Sequence, residues 1–147
     1  MNQRFETFTV LINRISRNIR KIKNQEMAEY NLRSAHVSCL YYLYNQEGLT
    51  ATELCERCEE DKATISRALD YLETNGFLCG ETTNAKRYKS PFTLTEKGKE
   101  VGGKIAYKIE NVLKEMSQSL SEEERVAFYN SLSIISGSLE QICNGAK

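Results

Sequence analysis

EEDKATISRALDYLETNGF, residues 59–77, decides how the rest of this chain is read. On a helical wheel of about 100° per residue, Ile65, Ala68, Leu69 and Leu72 gather on one side. Ala63, Arg67, Asp70 and Thr74 point the opposite way, with Thr64 and Ser66 on the flanks. The apolar side is ordinary core. The outward side is short and polar near its N-terminal end, so its backbone can approach another surface closely. Arg67 stands at the centre of that side, and arginine is the commonest bidentate reader of guanine, while Ser and Thr contact phosphates or base edges. Asp61 is the expected N-cap and Gly76 the stop.

Working outward, the helix before it is announced by TATE at 50–53, a capping box with Thr50 as cap and Glu53 reaching back. It runs to about Cys58, leaving a tight connection of helix-turn-helix type. After Gly76 come two extended runs, FLCGE at 77–81 and SPFTL at 90–94, around the polar loop TTNAKRYK. Lys86, Arg87 and Lys89 in that loop face a single acid, Glu81. A basic hairpin beside a helix-turn-helix is a wing, whose tip would reach phosphates or the minor groove. Pro91 suits an edge strand.

The flanks read as helices. Phe5, Phe8, Ile12, Ile15, Ile19 and Ile22 are spaced 3, 4, 3, 4, 3, a near-heptad seam on a basic helix over residues 3–30. Ser34 is the expected cap of a second helix that ends at Gly48. Thr95 opens a long helix through Val101, Ile105, Ile109 and Val112, with Gly98, Gly102 and Gly103 weakening its first turns. SEEE at 121–124 caps a last helix along Phe128, Leu132, Ile135, Leu139 and Ile142. Seams left over at both chain ends predict a partner, most simply a second copy.

Composition narrows the function classes. Twenty basic and twenty acidic residues cancel over 147 residues, so nucleic-acid binding has to come from local patches. No apolar run approaches membrane-spanning length and no signal-peptide pattern opens the chain, which predicts a cytoplasmic protein. Five cysteines do not make an even disulfide framework. Cys55 and Cys58 form a C-x-x-C, but inside a short helix rather than at a redox-type helix N-terminus, and Cys39 reads as core. A zinc site would need two further ligands, and His36 is the single histidine. With no paired carboxylates and no phosphate loop either, neither an enzyme nor a bound metal or cofactor is expected.

KATISRALDYLETNGFL at 62–78 and KRYKSPFTLTEKGKEV at 86–101 are similar to the recognition helix, wing and following helix start of the MarR family of winged-helix transcriptional regulators. The resemblance runs over nearly the whole chain. It implies a mainly α fold with a small β-hairpin wing. It also implies one MarR-like domain over 1–147, with dimerisation helices at 1–33 and 96–147 and a DNA-binding lobe at 34–95. Two such lobes in a homodimer would bind a near-palindromic operator in double-stranded DNA.

Carried over by position, Lys62, Thr64, Ser66 and Arg67 fall where members of that family contact the major groove, and Arg87 at the wing arginine. The family often has Asp just before that arginine; this chain has Lys86. Thr50 and Thr52, at a helix N-terminus, are candidates for phosphate contacts. The acidic run Glu53, Glu56, Glu59, Glu60 and Asp61 should face away from DNA. The expected function is a repressor relieved by a small-molecule effector or stress signal, with no effector residue assigned. The competing reading is a winged-helix module that binds protein.

Overall fold

The computed structural model describes residues 2–80 and 90–145. The chain falls into two compact units, Met1–Lys108 and Ile109–Lys147.

In the first unit, α1 (Asn2–Glu26) is followed by a 3-10 turn (Ala28–Tyr30), α2 (Ser34–Asn45), α3 (Ala51–Cys58), α4 (Lys62–Thr74), β1 (Leu78–Gly80), β2 (Phe92–Leu94) and the first half of α5 (Glu96–Ser117). The first helix is shorter than its apolar pattern suggests. It stops at Glu26, and Asn31 takes the left-handed conformation (φ 59°) while Met27 O accepts from both Tyr30 and Leu32. That turn buries Met27 and Leu32, each 1% exposed, which a continued helix could not do together.

The expected cap of α2 shifts by one residue. Arg33, not Ser34, holds the N-cap position, because Arg33 N–H donates to His36 Nδ1 (3.0 Å) and Ser34 N–H donates to Asn24 Oδ1 (2.7 Å). Two side chains thereby take up two of the orphan donors at the helix start. The helix itself ends at Asn45, and Gly48 (φ 83°) makes the turn into α3.

Leu40, Leu43, Leu54, Ile65, Leu69, Leu72, Leu78 and Phe92 form the core between α2, α3, α4 and the hairpin. The hairpin is antiparallel, with Leu78 opposite Leu94 and Gly80 opposite Phe92. Phe92 also donates to Leu49 O (3.0 Å) and accepts from Gly48 N–H (3.2 Å), so the Gly48–Leu49 backbone fastens β2 to the start of α3.

The glycines early in α5 allow close approach. A Cβ on Gly98 would overlap the Phe77 carbonyl, and one on Gly102 would stand 3.0 Å from Tyr44 Cβ. Their cost in helix propensity is offset by bringing α5 against β1 and α2. Thr95 caps the helix as expected, its Oγ1 accepting from Gly98 N–H (3.1 Å) and donating to Gly76 O (2.6 Å). Lys108 pairs with Glu26 (3.1 Å) and Lys104 donates to Tyr30 Oη (2.9 Å), joining α5 to the end of α1.

The second unit holds the end of α5 and α6 (Glu122–Gly145), which begins on its Ser121 cap (Glu124 N–H to Ser121 Oγ, 3.1 Å). No described residue of α6 is buried, and Phe128, Leu132, Ile135 and Leu139 are 37–48% exposed. In the first unit, Phe8, Ile12, Ile15 and Ile19 of α1 are likewise exposed. Among the described residues, no helix is long and apolar enough to cross a membrane.

Candidate nucleic-acid interface

The interface is built from α3, the turn after it, and α4. The Thr50 hydroxyl oxygen accepts Glu53 N–H (3.2 Å) and starts α3. A hydroxyl that accepts in this way keeps its own proton as a donor. Thr52, two residues on, is exposed at the same helix N-terminus, where main-chain N–H groups favour an anion.

Glu59, Glu60 and Asp61 make the turn. Glu59 adopts the left-handed conformation (φ 53°) and closes α3, its N–H donating to Cys55 O. Asp61 Oδ1 accepts Thr64 N–H at 2.7 Å and caps α4. That Thr64 N–H, aided by the Thr64 hydroxyl and the nearby Arg67 charge, holds the Asp61 carboxyl below the usual carboxylate range. Glu60 is half-buried and its charge acts on Lys23 and Cys58 rather than on the outward side of α4. The Asp61 and Glu60 side chains are therefore engaged in the turn and its surroundings, while the Glu59 side chain is exposed. Glu53 and Glu56 remain exposed on α3.

Residues 62–74 divide between core and surface as the wheel predicts. Ile65, Ala68, Leu69 and Leu72 are 0–3% exposed, whereas Lys62, Ala63, Arg67 and Asp70 are exposed. Thr64 and Ser66 are half-buried on the flanks. Arg67 Nη2 lies 3.5 Å from Thr64 Oγ1, so the guanidinium is held loosely along the first turns of α4. Asn75 and Gly76 (φ 82°) end the helix. The structure thus carries Lys62, Thr64, Ser66 and Arg67 on the first two turns of one capped helix, and Thr50 and Thr52 at the start of the helix before it. Lys86, Arg87 and Lys89 lie outside the described residues.

Two supports of this helix escape a reading of spacing. The His36 ring stacks on Tyr71 of α4, with centroids 4.4 Å apart, and Tyr71 Oη donates to Asn31 O (2.8 Å). Their partners lie 35 and 40 positions away, beyond any local pattern. The tyrosines of α2 are spent differently. Tyr44 packs over Gly102 and Gly103, and Tyr41 meets Tyr42 edge-on (5.3 Å).

Comparison with known proteins agrees with this geometry. Residues 30–86, from the approach to α2 to Lys86, short of Arg87 and Lys89, match the sequence model of the MarR family. An uncharacterized HTH-type transcriptional regulator of Bacillus subtilis, YfiV, is 28% identical over 115 residues, covering 78% of this chain and 72% of that protein. The structure is similar to a MarR-family transcriptional regulator from Silicibacter pomeroyi (28% identity, TM-score 0.74, 85% of this chain and 84% of that one). It shares its fold with S. aureus MepR in a DNA complex (21% identity, TM-score 0.78, 90% and 97% covered). Residues 30–86 thus carry the sequence pattern of the MarR family, and the chain has the fold of solved MarR-family transcriptional regulators.

Proposed function

We propose that the protein is a homodimeric, sequence-specific DNA-binding repressor that acts in the cytoplasm on a pseudo-palindromic operator and is relieved by a small ligand or stress signal. The observation that carries this reading is the first two turns of α4. There an exposed Lys62 and Arg67 flank small hydroxyl side chains, on a helix whose other face is fully buried. That helix can enter a major groove without moving the core. Arg67 is the base reader, Thr64 and Ser66 support it, and Lys62, Thr50 and Thr52 contact phosphates. Lys86, Arg87 and Lys89 follow the backbone beside the groove.

Dimerisation is supported by the apolar seams that α1 and α6 expose in their respective units. A two-fold dimer would present two recognition helices about 34–36 Å apart, one turn of B-DNA. We assign residues 1–33 and 96–147 to that interface and residues 34–95 to the DNA-binding lobe. Occupancy of such a site excludes polymerase from an overlapping promoter, hence the repressor sign.

Selection of bound sequences from random DNA, followed by gel-shift titration of the recovered site, tests the reading. A two-fold symmetric consensus with half-sites one turn apart is the expected result. Absence of any shift at low salt would replace it with the protein-interaction reading, which the chain's zero net charge favours.

A further inference from the structure

Three consecutive main-chain carbonyls follow α4, and each accepts a donor from the opening of α5. Lys97 Nζ donates to Asn75 O (2.9 Å), Thr95 Oγ1 to Gly76 O (2.6 Å) and Thr95 N–H to Phe77 O (3.1 Å). Lys97 Nζ also lies 4.3 Å from the centre of the Phe77 ring. All of these residues belong to the first unit.

Each part of this joint has a physical reason. A helix leaves its last carbonyls without intrahelical partners, and its C-terminal end attracts a cation. Lys97 supplies one. Gly98 lets α5 come this close, since a Cβ there would overlap the Phe77 carbonyl. Thr95 holds the central place because its hydroxyl works in both directions. Its oxygen accepts Gly98 N–H (3.1 Å) and caps α5, while its proton goes to Gly76 O. One side chain therefore secures the turn after α4 and begins α5.

The joint acts by leverage. Arg67 lies about 10 Å from the C-terminal end of α4, at about 1.5 Å per residue. A pivot of about 6° at that end would displace Arg67 by about 1 Å, whereas a precise contact tolerates about 0.5 Å. The His36 and Tyr71 contacts brace one side of α4, and the Thr95 and Lys97 contacts brace its end.

We propose that Thr95, assisted by Lys97, is a positioning residue for DNA recognition: it fixes the pitch of α4 against α5 through the Gly76 carbonyl, and so acts through Arg67. That role rests on the function proposed above; the joint itself does not.

Substitution splits the two jobs of the hydroxyl. Serine keeps both. Aspartate keeps the cap, as Asp61 does for α4, but its carboxylate has no proton to give Gly76 O. Lys97→Met removes the donor to Asn75 O at an exposed position, where folding is not at stake.

Wild type, Thr95→Ser, Thr95→Asp and Lys97→Met are titrated in gel shifts against the selected operator and random DNA, and amide hydrogen exchange is followed in the free proteins. Thr95→Asp should lower the operator-to-random affinity ratio by at least about fivefold, Lys97→Met should lower it in the same direction, and Thr95→Ser should stay within about twofold of wild type. The ratio is the readout because a changed charge alone weakens both DNAs alike. The amides of Asn75, Gly76 and Phe77, which donate back to Tyr71, Glu73 and Leu72 O, should exchange severalfold faster in Thr95→Asp than in Thr95→Ser. A wild-type ratio in both Thr95→Asp and Lys97→Met, or a loss in Thr95→Ser equal to that in Thr95→Asp, overturns the proposal. If Thr95→Asp does not fold, the ratio of Lys97→Met decides. If wild type prefers no sequence, the DNA reading fails and the joint is judged on exchange alone: faster rates in Thr95→Asp sustain it and unchanged rates overturn it.

Discussion

His36 and Tyr71 stack at 4.4 Å with an interplanar angle of 23°, and the same imidazole accepts Arg33 N–H on its Nδ1. One ring thus holds the first turn of α2 and braces α4. The Nδ1 acceptor exists only in neutral histidine. Burial, and secondarily the Arg33 charge, keep the His36 pKa below its ordinary value.

The sign of the pH dependence follows. With the folded pKa below the unfolded one, the unfolded chain binds the proton more readily. His36 costs nothing above about pH 6.5, the ordinary histidine value, and stability is lost as pH falls from there through the folded pKa. Urea unfolding of wild type and His36→Gln, compared at several pH values, should show a wild-type advantage that shrinks on acidification. A difference independent of pH would refute the role given to the ring.

Gly98 and Gly137 should respond oppositely to alanine. A Cβ at Gly98 meets the Phe77 carbonyl and stands 3.2 Å from Leu94 Cβ, so α5 must move off the wing base; Gly137 in α6 has nothing within 4 Å. Gly98→Ala should lose about 1–3 kcal/mol. Gly137→Ala should gain up to about 1 kcal/mol from helix propensity, where no second chain crowds that face. Denaturant midpoints with unchanged m-values measure both, and a stabilised Gly98→Ala would show that the close approach is misplaced.

The local signals in this sequence were legible because each is settled within a turn of chain. Thr50, Asp61, Thr95 and Ser121 cap the helices they precede. The split of residues 62–74 into core and surface follows from helical period alone. What the sequence did not disclose needs two distant segments at once. Arg33 displaced Ser34 as a cap because Asn24 and His36 were both at hand. Gly48–Leu49 pairs with Phe92 through main-chain groups, which carry no side-chain signature. The C-x-x-C drew attention to Cys55 beside Cys58, whereas the group that most lowers the Cys58 thiol is Cys39, 19 positions earlier. Gly98 and Gly102 read as weak points of a helix until the surfaces facing them were known.

The exposed seams give a test of assembly. Ile15 on α1 is 47% exposed and Leu132 on α6 37%, each within a row of apolar neighbours. A charge placed in a dimer interface would have to be desolvated without a partner. Ile15→Glu and Leu132→Glu should each shift the protein from dimer to monomer in light scattering, with helix content retained. Both variants eluting as wild-type dimers would remove these seams from the interface.

Arg67 and Arg87 should divide specificity from affinity. Arg67 stands on the exposed side of α4, loosely held by Thr64, and can pair with a base edge. Arg67→Ala should cost about 1–3 kcal/mol on the selected operator and relax preference at one base pair per half-site. Arg87 lies outside the described residues, and the proposed function gives it a contact to the DNA backbone. Arg87→Ala should weaken operator and random DNA alike. Loss of one phosphate contact per protomer should lower the slope of log K against log salt by about 0.9 for each contact. Titrations of both variants at several salt concentrations separate the roles. If Arg67→Ala weakens all sequences equally while keeping the base preference, Arg67 is a phosphate contact and the reading of α4 must shift to Lys62, Thr64 and Ser66.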